Sequence, residues 1–345
     1  MVQARSRGIW ASYCSTVLLF CGGCTASTSI QQPTPDYVPA EVQLGNVSPA
    51  MSESHIDSLD RFVSTVRVRT AILLSGQGTG IRECSGVLIA PQLVLTAAHC
   101  VCGERKPIPP EASDTTITDR STCAKTALVT LVRYGSSRSA PRDVPETDPS
   151  RLPFDASAPY KGAVQAHEDL RIVYRQVETS TGWETDTEYS NADLAVIVLE
   201  KPPEEQVQAA RLAQEPPRLK ERVVMAGFGA KNLGDDRGDG QRRYGENAVV
   251  SIKEDGSTFH VGRQLEIAPS YTGEMPGVMR IRGSYITKGD SGGPCFRERK
   301  GVLELVGIAR STHGPPVVLS VYTSTHAYLG WLRQKLAAAE SSHTD

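Results

Sequence analysis

A chain of 345 residues with 37 basic and 39 acidic side chains, net −2, has no broad electrostatic reason to bind nucleic acid or an anionic membrane. Its 39% apolar and 22% charged composition is that of a globular protein, and its length allows about two domains around a substantial core. With 30 glycines, 22 prolines and few aromatics, it suits many short strands joined by turns.

Residues 1–23 read as an export signal. Arg5 and Arg7 precede an apolar run of 12 residues, Ile9–Phe20, shorter than the roughly 20 a bilayer span requires. Gly22, Gly23 and Cys24 follow, and this stretch resembles a bacterial lipoprotein signal in which the cysteine is acylated after cleavage. Cys21 stands where such signals prefer an aliphatic residue, so a plain secretory signal is the alternative. Either route ends in an oxidising compartment, where disulfides persist. Residues 24–60, rich in Ser, Thr, Pro and Gln, are expected to form a disordered tether or leader.

From Val63 the pattern becomes that of strands. Val66–Leu73 begins with alternation, and Ser85–Ala90 and Leu93–Thr96 flank a turn at Pro91-Gln92. His99 follows at once, in Thr96-Ala97-Ala98-His99-Cys100. Residues 126–134 and 170–177 read as further strands. The stretches 103–123 and 135–165, heavy in Pro, Ser, Asp and Arg, read as surface insertions. Asp193 then heads a buried strand that Lys201-Pro202-Pro203 ends. An acidic, proline-bearing connection, 202–218, leads to a second strand-rich half opened by Arg222–Gly229. The loop Gly234–Gly240 clusters carboxylates and contains Arg-Gly-Asp; it reads as a solvated turn rather than a calcium site. Beyond Thr287–Pro294 lie strands at Val302–Ala309 and Val317–Tyr322. A final helix over 325–338 is expected, capped by Ser324 or Thr325, with Leu329, Leu332 and Leu336 as its packing stripe beside Tyr328 and Trp331. Residues 339–345 are expected to be a flexible tail.

Three of these pieces carry chemistry. A serine hydroxyl is a poor nucleophile at neutral pH and needs a base within hydrogen-bond reach, itself oriented by a third group. His99, Asp193 and Ser291 supply those residue types. The glycines around Ser291, in Lys288-Gly289-Asp290-Ser291-Gly292-Gly293-Pro294, allow a tight turn that brings backbone N–H groups to one point.

With "TAAHC" and "GDSGGP" both present and "ADLAVIVL" between them, the chain resembles the trypsin/chymotrypsin-like serine peptidases from about Phe62 to Leu336. The resemblance implies an all-β fold of two packed six-stranded antiparallel barrels and a C-terminal helix. The peptidase domain would span 61–338, with barrel 1 near 61–205 and barrel 2 near 218–323. It implies His99 as general base, Asp193 as its orienting group and Ser291 as nucleophile, with the N–H groups of Gly289 and Ser291 as the oxyanion hole. Protein or peptide substrates are expected, with no metal or organic cofactor and no nucleic acid. The enzyme is expected to be an exported monomer, with membrane anchoring through Cys24 if that residue is acylated.

The family pattern is not complete. The 94 positions from His99 to Asp193 exceed the usual spacing. Members of the family often begin at a newly cut "IVGG" N-terminus, whereas this region reads Ser54-His55-Ile56-Asp57-Ser58-Leu59-Asp60. If no terminal amine pairs with Asp290, another cation or hydrogen bond must hold the oxyanion loop.

Eight cysteines need placing. Cys14 and Cys21 lie in the targeting segment and Cys24 at its end. In the resembled family a pair at the positions of Cys84 and Cys100 closes the loop that carries the histidine. Cys102 and Cys123 can form a second bridge, although sequence leaves the connectivity open. Cys295 has no partner and reads as a small buried residue. A zinc site from His99, Cys100, Cys102 and Cys123 is the competing arrangement; the histidine motif explains the first two better.

The family sets specificity beside the nucleophile, where the candidate residues are Tyr285, Lys288, Arg310, Ser311, His313 and Ser320. Six residues before Ser291, where a trypsin-like preference for Lys or Arg relies on an aspartate, stands Tyr285, which carries no charge at neutral pH. Lys288, Arg310 and His313 would instead favour an acidic side chain. The rival from another class is a catalytically silent, surface-anchored binding protein on the same scaffold. An esterase would share the chemistry and differ only in substrate.

Overall fold

The computed structural model describes residues 54–74, 78–107, 114–134, 155–179, 182–204, 207–231, 238–262, 283–313 and 318–341. The expected export signal, Cys24, most of the tether and the first part of the Gly234–Gly240 loop lie outside them.

Two closed six-stranded antiparallel barrels and one C-terminal helix make up the fold. Around barrel 1 the strands run Ala195–Leu199, Leu93–Thr96, Gly78–Ala90, Thr65–Leu74, Thr126–Thr130 and Tyr160–Ala166, which returns to Ala195–Leu199. Barrel 2 runs Arg222–Gly227, Pro294–Arg299, Val302–His313, Leu319–Ser324, Thr258–Gly262 and Arg243–Ile252, closing on Arg222–Gly227. Period-two alternation explains how the barrels fill and how they meet. In Arg222–Gly227, Val223 and Met225 belong to the core of barrel 2, while Val224 and Ala226 join the apolar cluster shared with barrel 1. Cys295 and Phe296 divide in the same way. Burial of a Val, Met or Phe side chain of this set stabilises the fold by about 1.5–3 kcal/mol.

The disulfides resolve the cysteine question: Cys84 pairs with Cys100 and Cys102 with Cys123, leaving Cys295 as a buried free thiol. The sulfurs of the alternative zinc set are thereby spent.

The expected insertions divide differently from the sequence reading. Tyr160–Ala166, placed in a surface insertion by composition, is a barrel strand. Gly162 is the reason its pattern is weak. A Cβ there would lie 2.5 Å from Ile197 Cγ2 and 2.8 Å from the Val198 carbonyl oxygen, so close pairing demands a residue that blurs the strand signal. Thr115–Asp119 likewise is not loop. It pairs with Arg171–Thr179, which pairs with Gly182–Asn191, in a three-stranded sheet beside the barrel. The final helix spans Leu329–Ser341, later than expected and including residues assigned to the tail, with Ala339 buried. Thr325 is not its cap, because its hydroxyl donates to the Leu305 carbonyl in barrel 2 at 2.9 Å.

The expected tether also ends earlier. His55–Ile56 pairs with Tyr244 and Arg243, and the turn after it is pinned by charge. Arg242, fully buried, donates Nε to Asp57 at 2.8 Å, Nη2 to Asp60 at 2.6 Å and Nη1 to the Val132 carbonyl at 2.7 Å. Asp57 also accepts the N–H groups of Arg61 and Phe62 at 2.8 and 2.9 Å. A guanidinium buried this deeply is tolerable only because every side of it is matched. The composition of 24–60 is polar, but these two aspartates have a partner 185 and 182 positions away.

Removing the cation should expose that dependence. Arg242→Met, which leaves Asp57 buried and unpaired, is expected to lower the unfolding free energy by about 3–5 kcal/mol. Urea denaturation measures it, and a loss under about 1 kcal/mol would contradict the pinning role.

Candidate active site

Strand register brings two of the three chemical residues together. Ala195 is paired with Thr96 in an antiparallel ladder, so the residues just before Ala195 and just after Thr96 emerge at one end of barrel 1. There Asp193 grips His99 at two points. Its Oδ1 accepts the His99 backbone N–H at 2.9 Å and its Oδ2 lies 2.8 Å from Nδ1. Because an ionised carboxylate can only accept, Nδ1 carries the proton and Nε2 is left as the basic nitrogen. Asp193 is 1% exposed and His99 15%. Burial alone would push the Asp193 carboxyl up; electrostatic attraction to the His99 ring and the two hydrogen bonds that His99 donates prevail and hold it below the ordinary carboxylate range.

Two neighbours missed by sequence reasoning steady this pair. The Tyr328 hydroxyl, ahead of the C-terminal helix, accepts the N–H of Ala192 at 3.1 Å, and Ala192 holds φ +48° one residue before Asp193. Tyr328, read as part of a packing stripe, is thus a brace for the acid. On the other side Arg82 donates Nη1 to the His99 carbonyl oxygen.

Ser291 comes from barrel 2 and abuts the strand leading to His99. A Cβ on Gly292 would fall 2.1 Å from Thr96 Oγ1 and 2.3 Å from the Ser85 carbonyl oxygen, and its φ is +80°. Only glycine allows the loop so close. Ser85, also missed, fastens the two barrels here. Its N–H donates to the Ser291 carbonyl at 2.8 Å, its hydroxyl donates to the Gly289 carbonyl at 2.9 Å and accepts the Phe228 N–H at 3.0 Å. The Ser291 hydroxyl donates to the Arg310 carbonyl oxygen at 3.4 Å; no hydrogen bond joins it to His99.

The expected oxyanion donors are oriented by the peptides that contain them. The Lys288 carbonyl accepts the Ala230 N–H at 2.9 Å, and the Asp290 carbonyl accepts that of Gly293 at 2.8 Å. In a trans peptide the N–H points opposite the carbonyl, so the N–H groups of Gly289 and Ser291 are turned away from those anchors. Neither has an acceptor among the described residues.

Asp290 is buried and forms no ion pair among the described residues. Its Oδ1 accepts the Gly229 N–H at 2.7 Å; its Oδ2 accepts the Thr287 N–H at 2.8 Å and lies 3.0 Å from the Thr287 hydroxyl. Burial raises this carboxyl above 3.8 despite those donors. A raised acid favours the folded state while protonated, so that contribution fades as pH climbs from 3.8 through the raised value.

Of the expected pocket residues, Tyr285 is 3% exposed against Val318, its hydroxyl without a partner among the described residues, and burial raises its pKa. Ser320 is fully buried and accepts the Ile286 N–H at 3.0 Å, while Thr312 donates to the Ile286 carbonyl at 3.0 Å. Those two hydroxyls hold the Ile286 backbone at both its N–H and its carbonyl. Arg310 is the extra residue of a β-bulge between Ala309 and Ser311 and is half-buried, close enough for its charge to act on Asp193. Ser311 is half-buried and Lys288 exposed. His313 pairs through its backbone with Leu319; its side chain lies outside the described residues.

No curated protein matches the chain. The family model described as Trypsin matches residues 67–138 and 160–332, leaving out 139–159 in the long span between His99 and Asp193. That match covers most of the chain and both barrels, and the chain belongs to the trypsin family.

Proposed function

We propose that the protein is an exported, monomeric serine endopeptidase acting through an acyl-enzyme on Ser291. The observation that carries this reading is the two-point grip of Asp193 on His99 beside a serine loop with two unspent N–H groups. The contact from Ser291 Oγ to the Arg310 carbonyl is long for a hydroxyl donor, so turning the side chain toward His99 sacrifices little. Catalytic hydrogen bonds commonly tighten only when substrate is bound.

On that reading His99 Nε2 takes the Ser291 proton as Oγ bonds to the substrate carbonyl carbon. The N–H groups of Gly289 and Ser291 hold the oxyanion. His99 then delivers the proton to the leaving amine as the C–N bond breaks, and water repeats the sequence on the ester. Asp290, tied by Gly229 and Thr287, keeps the loop in register without a newly cut terminal amine. Tyr285, neutral and buried where a trypsin-like enzyme carries an aspartate, argues against cleavage after Lys or Arg. Arg310 and Lys288 support acceptance of an acidic side chain.

Ser291→Ala is expected to lower peptidase activity by at least about a thousandfold with an unchanged unfolding midpoint. A fluorophosphonate should label Ser291 in the parent protein. Full activity of the variant would defeat the assignment, and failure to label would favour the silent binding protein.

Thr287→Val, which removes one support of Asp290, is expected to cut kcat by up to about a hundredfold through displacement of the oxyanion donors. Protein with residues left uncut ahead of Ser54 should be as active as trimmed protein. Activity appearing only after trimming would reverse the account of Asp290.

The reading also takes residues 1–23 as an export signal and Cys24 as the acylated first residue of an anchored protein. Mass spectrometry of the mature protein is expected to find acyl chains on Cys24; an unmodified terminus would make it a plain secretory product.

A further inference from the structure

A cavity of about 180 Å³ is lined in part by Gly289 and by neither Tyr285 nor Arg310. Its walls come from barrel 1 through Arg67, Val68, Cys84 and Leu128, and from barrel 2 through Phe228 and Gly289. Cys84 is bridged to Cys100, the residue after His99. A leaving amine must sit at His99 to receive its proton, and this disulfide links the residue beside His99 to the wall of the cavity.

The charges in the wall do not balance. Arg69 and Glu83 face each other at 3.7 Å and offset one another. Asp239, between the wall glycines Gly238 and Gly240, is engaged by both Nη atoms of Arg243 at 2.7 and 2.5 Å. Arg67 has no acceptor among the described residues, although it is half-buried between Thr130 and Ser85 on neighbouring strands. A half-buried guanidinium with five donors and no protein acceptor among the described residues is poised to exchange its water for a carboxylate. Val68, Leu128 and Phe228 supply an apolar floor for the methylenes leading to it.

We propose that Arg67 makes this cavity a subsite for an acidic side chain on the leaving-group side of the scissile bond, so that the substrates are polypeptides with Asp or Glu shortly after the cleaved bond. The proposal rests on the serine endopeptidase reading and adds a selectivity that the acyl-side pocket does not supply. Arg67 acts on binding of the leaving segment and takes no part in proton transfer.

The test is digestion of a proteome-derived peptide library by the full chain, with sequencing of the new N-termini and fluorophosphonate labelling in parallel. Asp and Glu are expected to be enriched near those termini by about threefold to tenfold, the range for a partly exposed charge-assisted contact. Arg67→Gln should abolish the enrichment, Arg67→Lys should retain most of it, and Arg67→Glu should shift it toward Lys and Arg. An unchanged profile in Arg67→Gln, with Ser291 still labelled and peptides still cut, would overturn the subsite and leave the peptidase reading standing. Absence of both labelling and cleavage in the parent protein would overturn both.

Discussion

The site depends on how Ser85 bonds across the seam between the barrels. His99 and Asp193 are held by barrel 1, Ser291 and Gly289 by barrel 2, and two packed barrels joined only by apolar contact would leave that relation to side-chain packing. Ser85 removes the freedom. With its N–H on the Ser291 carbonyl and its hydroxyl between the Gly289 carbonyl and the Phe228 N–H, it ties a barrel 1 strand to the loop that carries Ser291 and to the strand end behind it. Thr96 in turn donates to the Ser85 carbonyl at 2.8 Å, three residues ahead of His99. One continuous chain of hydrogen bonds thus runs from the base's own strand to the serine loop.

Two opposite solutions to buried charge flank this seam. Asp290 is sealed among the N–H groups of Gly229 and Thr287 and the Thr287 hydroxyl, with no ion pair among the described residues, so hydrogen bonds fix its orientation while burial holds its proton more tightly than usual. Arg242 is sealed with two carboxylates and a carbonyl, and serves to hold residues 55–60 against Tyr244 and Val132. The first holds the loop that carries Ser291 and the second holds residues 55–60 to the fold. Because Asp57 approaches Arg242 through its side chain, docking of this segment does not require a free amine.

What the sequence could disclose followed from how local each signal is. The three motifs are contiguous and announce their residue types directly, and the barrel strands at Leu93–Thr96 and Ala195–Leu199 carry unbroken apolar runs. Ser85 looks like any small residue in a strand; its partner Gly289 is 204 positions away. Tyr328 sits in a convincing apolar stripe, and only the fold reveals that its hydroxyl reaches Ala192, 136 positions earlier. Tyr160–Ala166 was hidden for the reverse reason, because the glycine that lets it pair closely weakens the pattern that would identify it. Relations made by tertiary contact leave no local period to read.

The same contrast applies to charge. A net charge of −2 over 345 residues describes the chain as nearly neutral and predicts no preference among substrates. Around the cleft the distribution is not neutral. The negative charge of Asp193 is met by His99 and Asp290 is enclosed, whereas Arg67, which shares a cavity wall with Gly289, and Arg310, whose carbonyl accepts from Ser291, are half-buried. Field strength in a cleft depends on which charges remain unmatched near low-dielectric walls, not on the total. On the proposed reading, a substrate bearing carboxylates is drawn to these two guanidinium groups, even though the molecule as a whole is weakly anionic.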